Sequence, residues 1–483
     1  MPLKKNQRTI GSLSLSLLLV VTSLRLADVR AEEQEAHTGT LKNWELYGSV
    51  RMEGAYWQRY KWYEHLDPLT AARINYDSLK SEGFIVSKGG MDSVLLDTLP
   101  VTQLRMGLQN NSYFGVRGKG DRFGFCFEMG LGAFLQDVGL LGTQQSDISE
   151  LSLSSSKRQS TVLRKVYGDW YILKDRGKGI DYLTLRIGQD WNIANFFPSG
   201  QVFNSDAGLG YSGILYTGRK PQVKLSLGNK EHTSVPWNIQ AAVIKQDLYT
   251  VPNYGTNGYL QKTEEELPKF EFGGQAGYKF SNLLNVNATV VGGVTQYSVV
   301  VYKEDEPTLA KDRRHAVKSN LFGVNLELGV WKTRTNLVYS TGQNMLTYGV
   351  WVGNPDASLA DAQMRMFLPS YDNTADKVLN AKGWQGGLVF NVQPLSWLAW
   401  EIGGGMVKAD HDDTVSITPL KDQIPNALQR RAWYTNFQFT VADGHLQIIP
   451  EFSYSDFGGF HRDKTNADAG EWYSYGLKLE LDI

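Results

Sequence analysis

Cysteine is nearly missing from this 483-residue chain: Cys126 stands alone, so no internal disulfide can form and a disulfide-stapled scaffold is excluded. A basic surplus is missing too, since 49 Lys and Arg face 50 Asp and Glu, and nucleic acid is therefore not an expected partner. Beyond residue 31 no run of 18 apolar residues occurs, which excludes a membrane-spanning helix; a membrane protein of this sequence would have to cross with strands. None of the seven histidines stands at metal-ligand spacing with another. A metal centre and a Ser/His/Asp enzyme are both unsupported, so no catalytic residue, metal or cofactor is expected. The "GVRGKG" stretch (115–120) lacks the strand, loop and helix context of a phosphate cradle, and the carboxylates of "DHDD" (410–413) and "NADAGE" (466–471) read as solvated loop tips. No Pro/Ser-rich linker divides the chain either, and 49 Gly, 13 Trp, 24 Tyr and 20 Phe are spread along its whole length. That uniformity points to one all-β architecture.

What is present begins with an export signal. Lys4, Lys5 and Arg8 precede an apolar, serine-laced run from Ile10 to Leu24, and "VRA" precedes the acidic "EEQE". Residues 1–31 therefore read as a cleaved secretory signal peptide, with a short periplasmic segment at 32–44 and a barrel domain at 45–483. Taking five basic residues and one acid from the totals leaves 44 against 49, a net charge of −5.

Strand signals then recur. From Tyr473 the end of the chain places Tyr475, Leu477, Leu479, Leu481 and Ile483 on one face and Lys478, Glu480 and Asp482 on the other, a period of two. "ELYGSVRMEGAYWQRY" sets Leu46, Val50, Met52 and Tyr56 against Tyr47, Ser49, Arg51 and Glu53. "FGFCFEMGL" and "KFEFGGQAGYKF" repeat the scheme, as do segments around Trp400, Trp433 and Ile448. Seven short polar turns, at 119–122, 175–179, 229–234, 281–283, 332–334, 393–395 and 442–444, alternate with eight long polar stretches. Sixteen strands joined in that way match a transmembrane antiparallel β-barrel with tight periplasmic turns and long outer loops. Pairing of the first strand with the last would close the cylinder and remove the open edges that lipid does not tolerate. A large soluble sandwich is the alternative reading of the same aromatic strands.

The greasy rows would then face lipid and the rows between them a watery lumen, which accommodates a mean hydropathy of −0.32 in a membrane protein. The inward set holds ten basic and ten acidic residues. Bases predominate on strands one to six, with Arg51, Arg105, Lys165 and Arg186 among them, whereas Glu327, Glu401, Glu451, Glu480 and Asp482 dominate the later strands. A transverse field across the lumen should result.

The segments "GQDWNIANFFPSG" (188–200), "GRKPQVKLSL" (218–227), "GDRFGFCFE" (120–128) and "LRKVYGDWYI" (163–172) resemble the Gram-negative outer-membrane porin superfamily, most nearly its DcaP-like trimeric branch. The resemblance implies that Gly188, Gln189 and Trp191 end the fifth strand. It also implies that 192–213 forms an inward-folded constriction loop, and that Arg219, Pro221 and Gln222 begin the sixth strand. Two departures stand out: the sequence ends in Ile483 where such barrels usually present an aromatic residue, and 32–44 is too short for the periplasmic coiled coil of some relatives.

The expectation is an outer-membrane porin in which Arg51, Arg105, Lys165, Arg186, Lys220 and Lys224 form a basic pore wall. A constriction loop bearing Trp191, Phe196, Phe197 and Asp206 faces it. Such a channel would pass small hydrophilic solutes by diffusion, with a preference for small anions such as organic acids. The expected partners are outer-membrane lipid, those solutes and two further copies in a homotrimer, helped by the serine-rich stretch 146–160. A surface-exposed binding or adhesion barrel with a closed lumen is the alternative.

Overall fold

The structure is a computed structural model. It describes residues 43–482 apart from 61, 66–84, 89–90, 98–100, 109–111, 131–162, 175–178, 197–214, 216, 230–233, 246–252, 255–258, 282, 304–313, 349–369, 373–376, 412–426, 457–458, 463–464 and 469–470. The signal peptide read at 1–31 and the serine-rich stretch 146–160 lie outside the described residues.

Sixteen antiparallel strands make one closed barrel. They are β1 (Asn43–Tyr60), β2 in two pieces (Val101–Leu108 and Tyr113–Lys119), β3 (Phe123–Gly130), β4 (Leu163–Lys174), β5 (Tyr182–Trp191) and β6 (Arg219–Gly228). Next come β7 (Trp237–Ile244), β8 (Tyr259–Ser281), β9 (Leu284–Lys303), β10 (Arg314–Val330) and β11 (Thr333–Gln343). The last five are β12 (Ala381–Leu395), β13 (Leu398–His411), β14 (Ala427–Val441), β15 (Leu446–Asp456) and β16 (Glu471–Asp482). Each pairs with its chain neighbours, and β1 pairs with β16 from Ser49 opposite Asp482 to Tyr60 opposite Glu471, which closes the ring. The first strand starts at Asn43, two residues ahead of the expected 45, because Asn43 and Trp44 find partners in Lys119 and Gly118.

The inside-out character read from the sequence holds. On β16, Tyr475 is 53 % exposed and Leu477 43 %, while Lys478 and Glu480 between them are 3 % and 7 % exposed. The same alternation leaves Phe270 and Phe272 outside and Lys269 and Glu271 inside on β8. Among the described residues apolar rows face outward, which suits a hydrocarbon solvent, and β1 pairs with β16 to close the ladder. Even the indole N–H of Trp400, on the outer row of β13, donates to Thr435 Oγ1 at 2.8 Å.

Aromatic rings gather toward both rims. Near the long-loop end Trp433, Phe452, Tyr454, Tyr473 and Tyr475 form a contiguous outer cluster with centroids 5.0 to 6.2 Å apart. Near the short-turn end Tyr278 packs edge-on against Phe280, and Trp397 stacks on Phe439. These are the interfacial positions where amphipathic rings settle.

Two turns differ from the sequence reading. The β12–β13 turn is Ser396 and Trp397 rather than 393–395, since Pro394 sits in a ladder irregularity between Val392 and Leu395, where a residue without an N–H costs least. The β10–β11 turn is Trp331 and Lys332, with Trp331 in the left-handed region at φ 52°. Just ahead of the second piece of β2, Ser112 Oγ accepts from the Arg51 N–H at 2.9 Å and donates to the Arg51 carbonyl at 3.1 Å.

Candidate pore lining and constriction

The inner face of β3 to β6 carries a chain of ion pairs. Glu128 on β3 is fully buried and is held by Arg164 Nε at 2.8 Å and Lys165 Nζ at 2.7 Å. Two consecutive residues reach one carboxylate because the β3–β4 register shifts between Glu128 and Met129, a bulge that re-aims a side chain. On β5, Arg186 makes a two-pronged contact with Asp169 (2.7 and 2.8 Å) and a further one with Asp190 (2.6 Å), and its guanidinium lies 3.7 Å from the Tyr167 ring centre. Lys224 on β6 reaches Asp190 at 2.7 Å. Arg51 on β1 pairs with Glu480 at 2.5 Å, and Lys478 meets the same carboxylate at 3.2 Å.

Of the expected basic wall, Arg51, Lys165, Arg186 and Lys224 are therefore lumenal, and each is matched to a carboxylate. Lys220 stands opposite Asp190 in the ladder, four residues from Lys224 on the same inner row. Arg105 stands opposite Ala55 in β2, and its side chain lies outside the described residues. Within the ion-paired clusters of β16, β1 and β3 to β6, Arg51, Lys478, Arg164, Lys165, Arg186 and Lys224 outnumber Glu480, Glu128, Asp169 and Asp190 by two charges. On the far wall the named contacts involve carboxylates. Tyr434 Oη donates to Glu401 at 2.8 Å, and Asn436 Nδ2 to Glu451 at 3.0 Å.

The β5–β6 connection turns inward. Its two stems are zipped together: Asn192 N–H donates to the Gly218 carbonyl at 3.1 Å, Thr217 Oγ1 to the Ala194 carbonyl at 2.9 Å, and Phe196 N–H to the Leu215 carbonyl at 2.8 Å. Ala194, Phe196 and Leu215 are buried against the inner wall. Gly323 on β10 makes the fit possible, since a Cβ there would meet Phe196 at 3.0 Å and Leu215 at 3.1 Å. At the end of β5, Gly188 adopts φ 135°, a conformation a side chain would resist, which gives the Gly-Gln-x-Trp stretch a backbone reason for its first residue.

The expected loop residues do not gather at one point. Phe196 is 4 % exposed and packs on the wall. Trp191 follows the inward Asp190 and so falls on the outer row with Ile187, and Arg219 lies over its ring at 3.6 Å. Phe197 and Asp206 lie outside the described residues.

Three contributions went unread in the sequence. Arg164 was missed because alternation assigns it outward and only the bulge brings it in. The lumenal tyrosines Tyr113 and Tyr167, each beneath a guanidinium, were unassigned. The third is a helical turn, Met345–Tyr348, after β11, which also enters the barrel. Its only signal is a run of apolar residues at the head of a long polar loop.

Sixteen antiparallel strands closed into one ring, with the stems of the connection after the fifth strand turned inward, define a transmembrane-type β-barrel fold. One solved structure supports this fold, and two others resemble it less. The outer membrane channel DcaP of Acinetobacter baumannii superposes with a TM-score of 0.51 at 14 % identity, over 91 % of this chain and 97 % of that one. OmpT of Vibrio cholerae in its trimer form (TM-score 0.43, 11 % identity, 91 % and 99 % covered) aligns more loosely, as does an anion-selective porin from Comamonas acidovorans (0.43, 9 %, 91 % and 99 %). No family model and no curated protein matches the sequence.

Proposed function

We propose that this protein is an outer-membrane porin: a water-filled channel for passive diffusion of small hydrophilic solutes, with a preference for small anions such as organic acids. The observation that carries this reading is the combination of a closed barrel, apolar outside and charged inside, with a loop folded into its lumen after β5. The anion preference draws support from the two-charge surplus of cations on the β16, β1 and β3 to β6 wall, opposite a wall bearing Glu401 and Glu451. Small anions would travel along the cationic side in a narrow passage of low dielectric. The predicted homotrimer belongs to the same reading, and native mass measurement in mild detergent tests it, with a lone monomer counting against it.

A second reading is favoured by one specific feature. Many inward charges, Glu128, Glu271 and Glu401 among them, are almost wholly buried, as in a lumen filled by its own side chains. A surface-exposed binding barrel with a closed lumen would look the same there. Planar-bilayer recording separates the two: ohmic steps without added ligand support the porin, and a silent membrane with correctly assembled protein supports the closed barrel.

A further inference from the structure

Two loops six strands apart in the chain meet at one carboxylate. Glu271, on the inner row of β8, is buried, and its Oε2 accepts from the backbone N–H of Ala194 at 3.0 Å, in the stem of the β5–β6 loop. Its other oxygen, Oε1, accepts from the Tyr348 hydroxyl at 3.0 Å, in the loop after β11, and lies 3.0 Å from Lys269 Nζ. Lys269 in turn donates to the Tyr348 carbonyl at 3.0 Å, with its ammonium 4.1 Å from the centre of the Tyr348 ring.

The segment Asn344–Tyr348 is shaped to remain there. Asn344 turns the chain through φ 52°, its N–H donates to the Ala381 carbonyl at 2.7 Å, and its side chain accepts from the Ala381 N–H at 2.9 Å and donates to the Lys318 carbonyl at 2.9 Å. Gly293 on β9 clears the space in which a Cβ would collide with the Tyr348 hydroxyl. Further along the same loop, Val378 packs onto a lumenal cluster of Tyr297, Val299 and Val317. The loop is thus attached to the β9–β10 wall at a second place.

We propose that Asn344–Tyr348 is the second half of the pore constriction and that Glu271 is the positioning residue that latches both halves. The width of the passage is then set by two loops held as one unit. This rests on the porin reading above. A buried carboxylate that takes donors from both loops is left under-satisfied when either loop departs, so displacement of one weakens the seat of the other.

The test uses the full-length protein in lipid, as wild type, Tyr348→Phe, Glu271→Gln and the double variant. Hydrogen exchange at 192–196 is read first, because it does not depend on conduction. Tyr348→Phe, which removes one hydroxyl in the other loop, is expected to speed exchange at the Ala194 amide roughly five- to tenfold. In bilayer recordings the same variants are expected to raise the frequency of transient current steps and to admit larger polyethylene glycols. The double variant should exceed Glu271→Gln by little, since both substitutions break the same contact. Unchanged exchange at 192–196 in Tyr348→Phe overturns the latch, as does a polymer cut-off equal to wild type in a conducting channel. A wild type that is silent in bilayers while exchange at Ala194 still responds would instead overturn the porin reading and leave the two-loop latch standing.

Discussion

Arg186 and Lys224 are direct cross-strand partners that share one oxygen: guanidinium Nη1 and ammonium Nζ lie 2.6 and 2.7 Å from Asp190 Oδ2. Two like charges placed side by side in a ladder repel each other, and the carboxylate between them turns that repulsion into a clasp. The wall is therefore a set of compensated charges with a small positive remainder, rather than a bare row of cations.

Replacing the shared carboxylate exposes the repulsion. Asp190→Asn is expected to cost about 3 to 5 kcal/mol of assembled stability, the usual penalty for stripping one partner from a buried ion cluster. The assembled fraction should be more anion-selective than wild type. The temperature of the folded-to-unfolded gel shift reads the first effect, and reversal potential in a salt gradient reads the second.

Selectivity is better probed by neutral substitution than by charge reversal. Arg186→Glu with Lys224→Glu would gather four carboxylates, two native and two new, around Asp169 and Asp190, and is expected to prevent assembly. Lys224→Met keeps the stem and removes one positive charge. It should shift the reversal potential toward cations while the barrel still forms.

The bulged pair on β4 divides its work unequally. Arg164 is the more deeply buried of the two cations on Glu128, with side-chain exposure of 8 % against 21 % for Lys165. Arg164→Met is expected to destabilise the barrel by about 3 kcal/mol or more, and Lys165→Met by less. Urea titration of vesicle-embedded protein orders the two, and equal effects would mean that the bulge does not single out Arg164.

That bulge marks the limit of what the sequence makes legible. Strand number and closure follow from the alternation of short turns with long polar stretches, and the outward row of Tyr475, Leu477 and Leu479 from a period of two. The loop after β5 was legible through the resemblance around Gly188 to Trp191. Pairings such as Glu128 with Arg164 were not, because they depend on the register between strands more than thirty residues apart, and one extra residue reverses the face. The entry of Tyr348 into the lumen was hidden for a related reason. Four helical residues have no periodicity to detect, and their partner Glu271 lies three strands away around the ring.

Packing against the glycine wall can be perturbed without touching a charge. Gly323→Val would press on Phe196, Leu215 and Val291, all within about 3 Å of where its first carbon would sit. The β5–β6 loop stem should be driven off β10, raising single-channel conductance, while the outward row of β10 and the gel-shift behaviour stay as they are.

The outer face gives an opposite expectation. Phe437, half exposed on the outer row of β14, should not tolerate Phe437→Lys: a lysine at mid-membrane depth costs about 2 to 4 kcal/mol in a barrel. Folding yield into vesicles measures it, and a wild-type yield would mean that this row does not face hydrocarbon.

Conduction and its charge preference are read together by single-channel recording of the purified protein in a planar bilayer, with reversal potential taken under a roughly tenfold salt gradient. An open, anion-preferring porin gives stable ohmic steps in the absence of any ligand and a reversal potential displaced toward that of the anion. A silent bilayer containing assembled protein, or a channel whose reversal potential follows the cation, would contradict that reading.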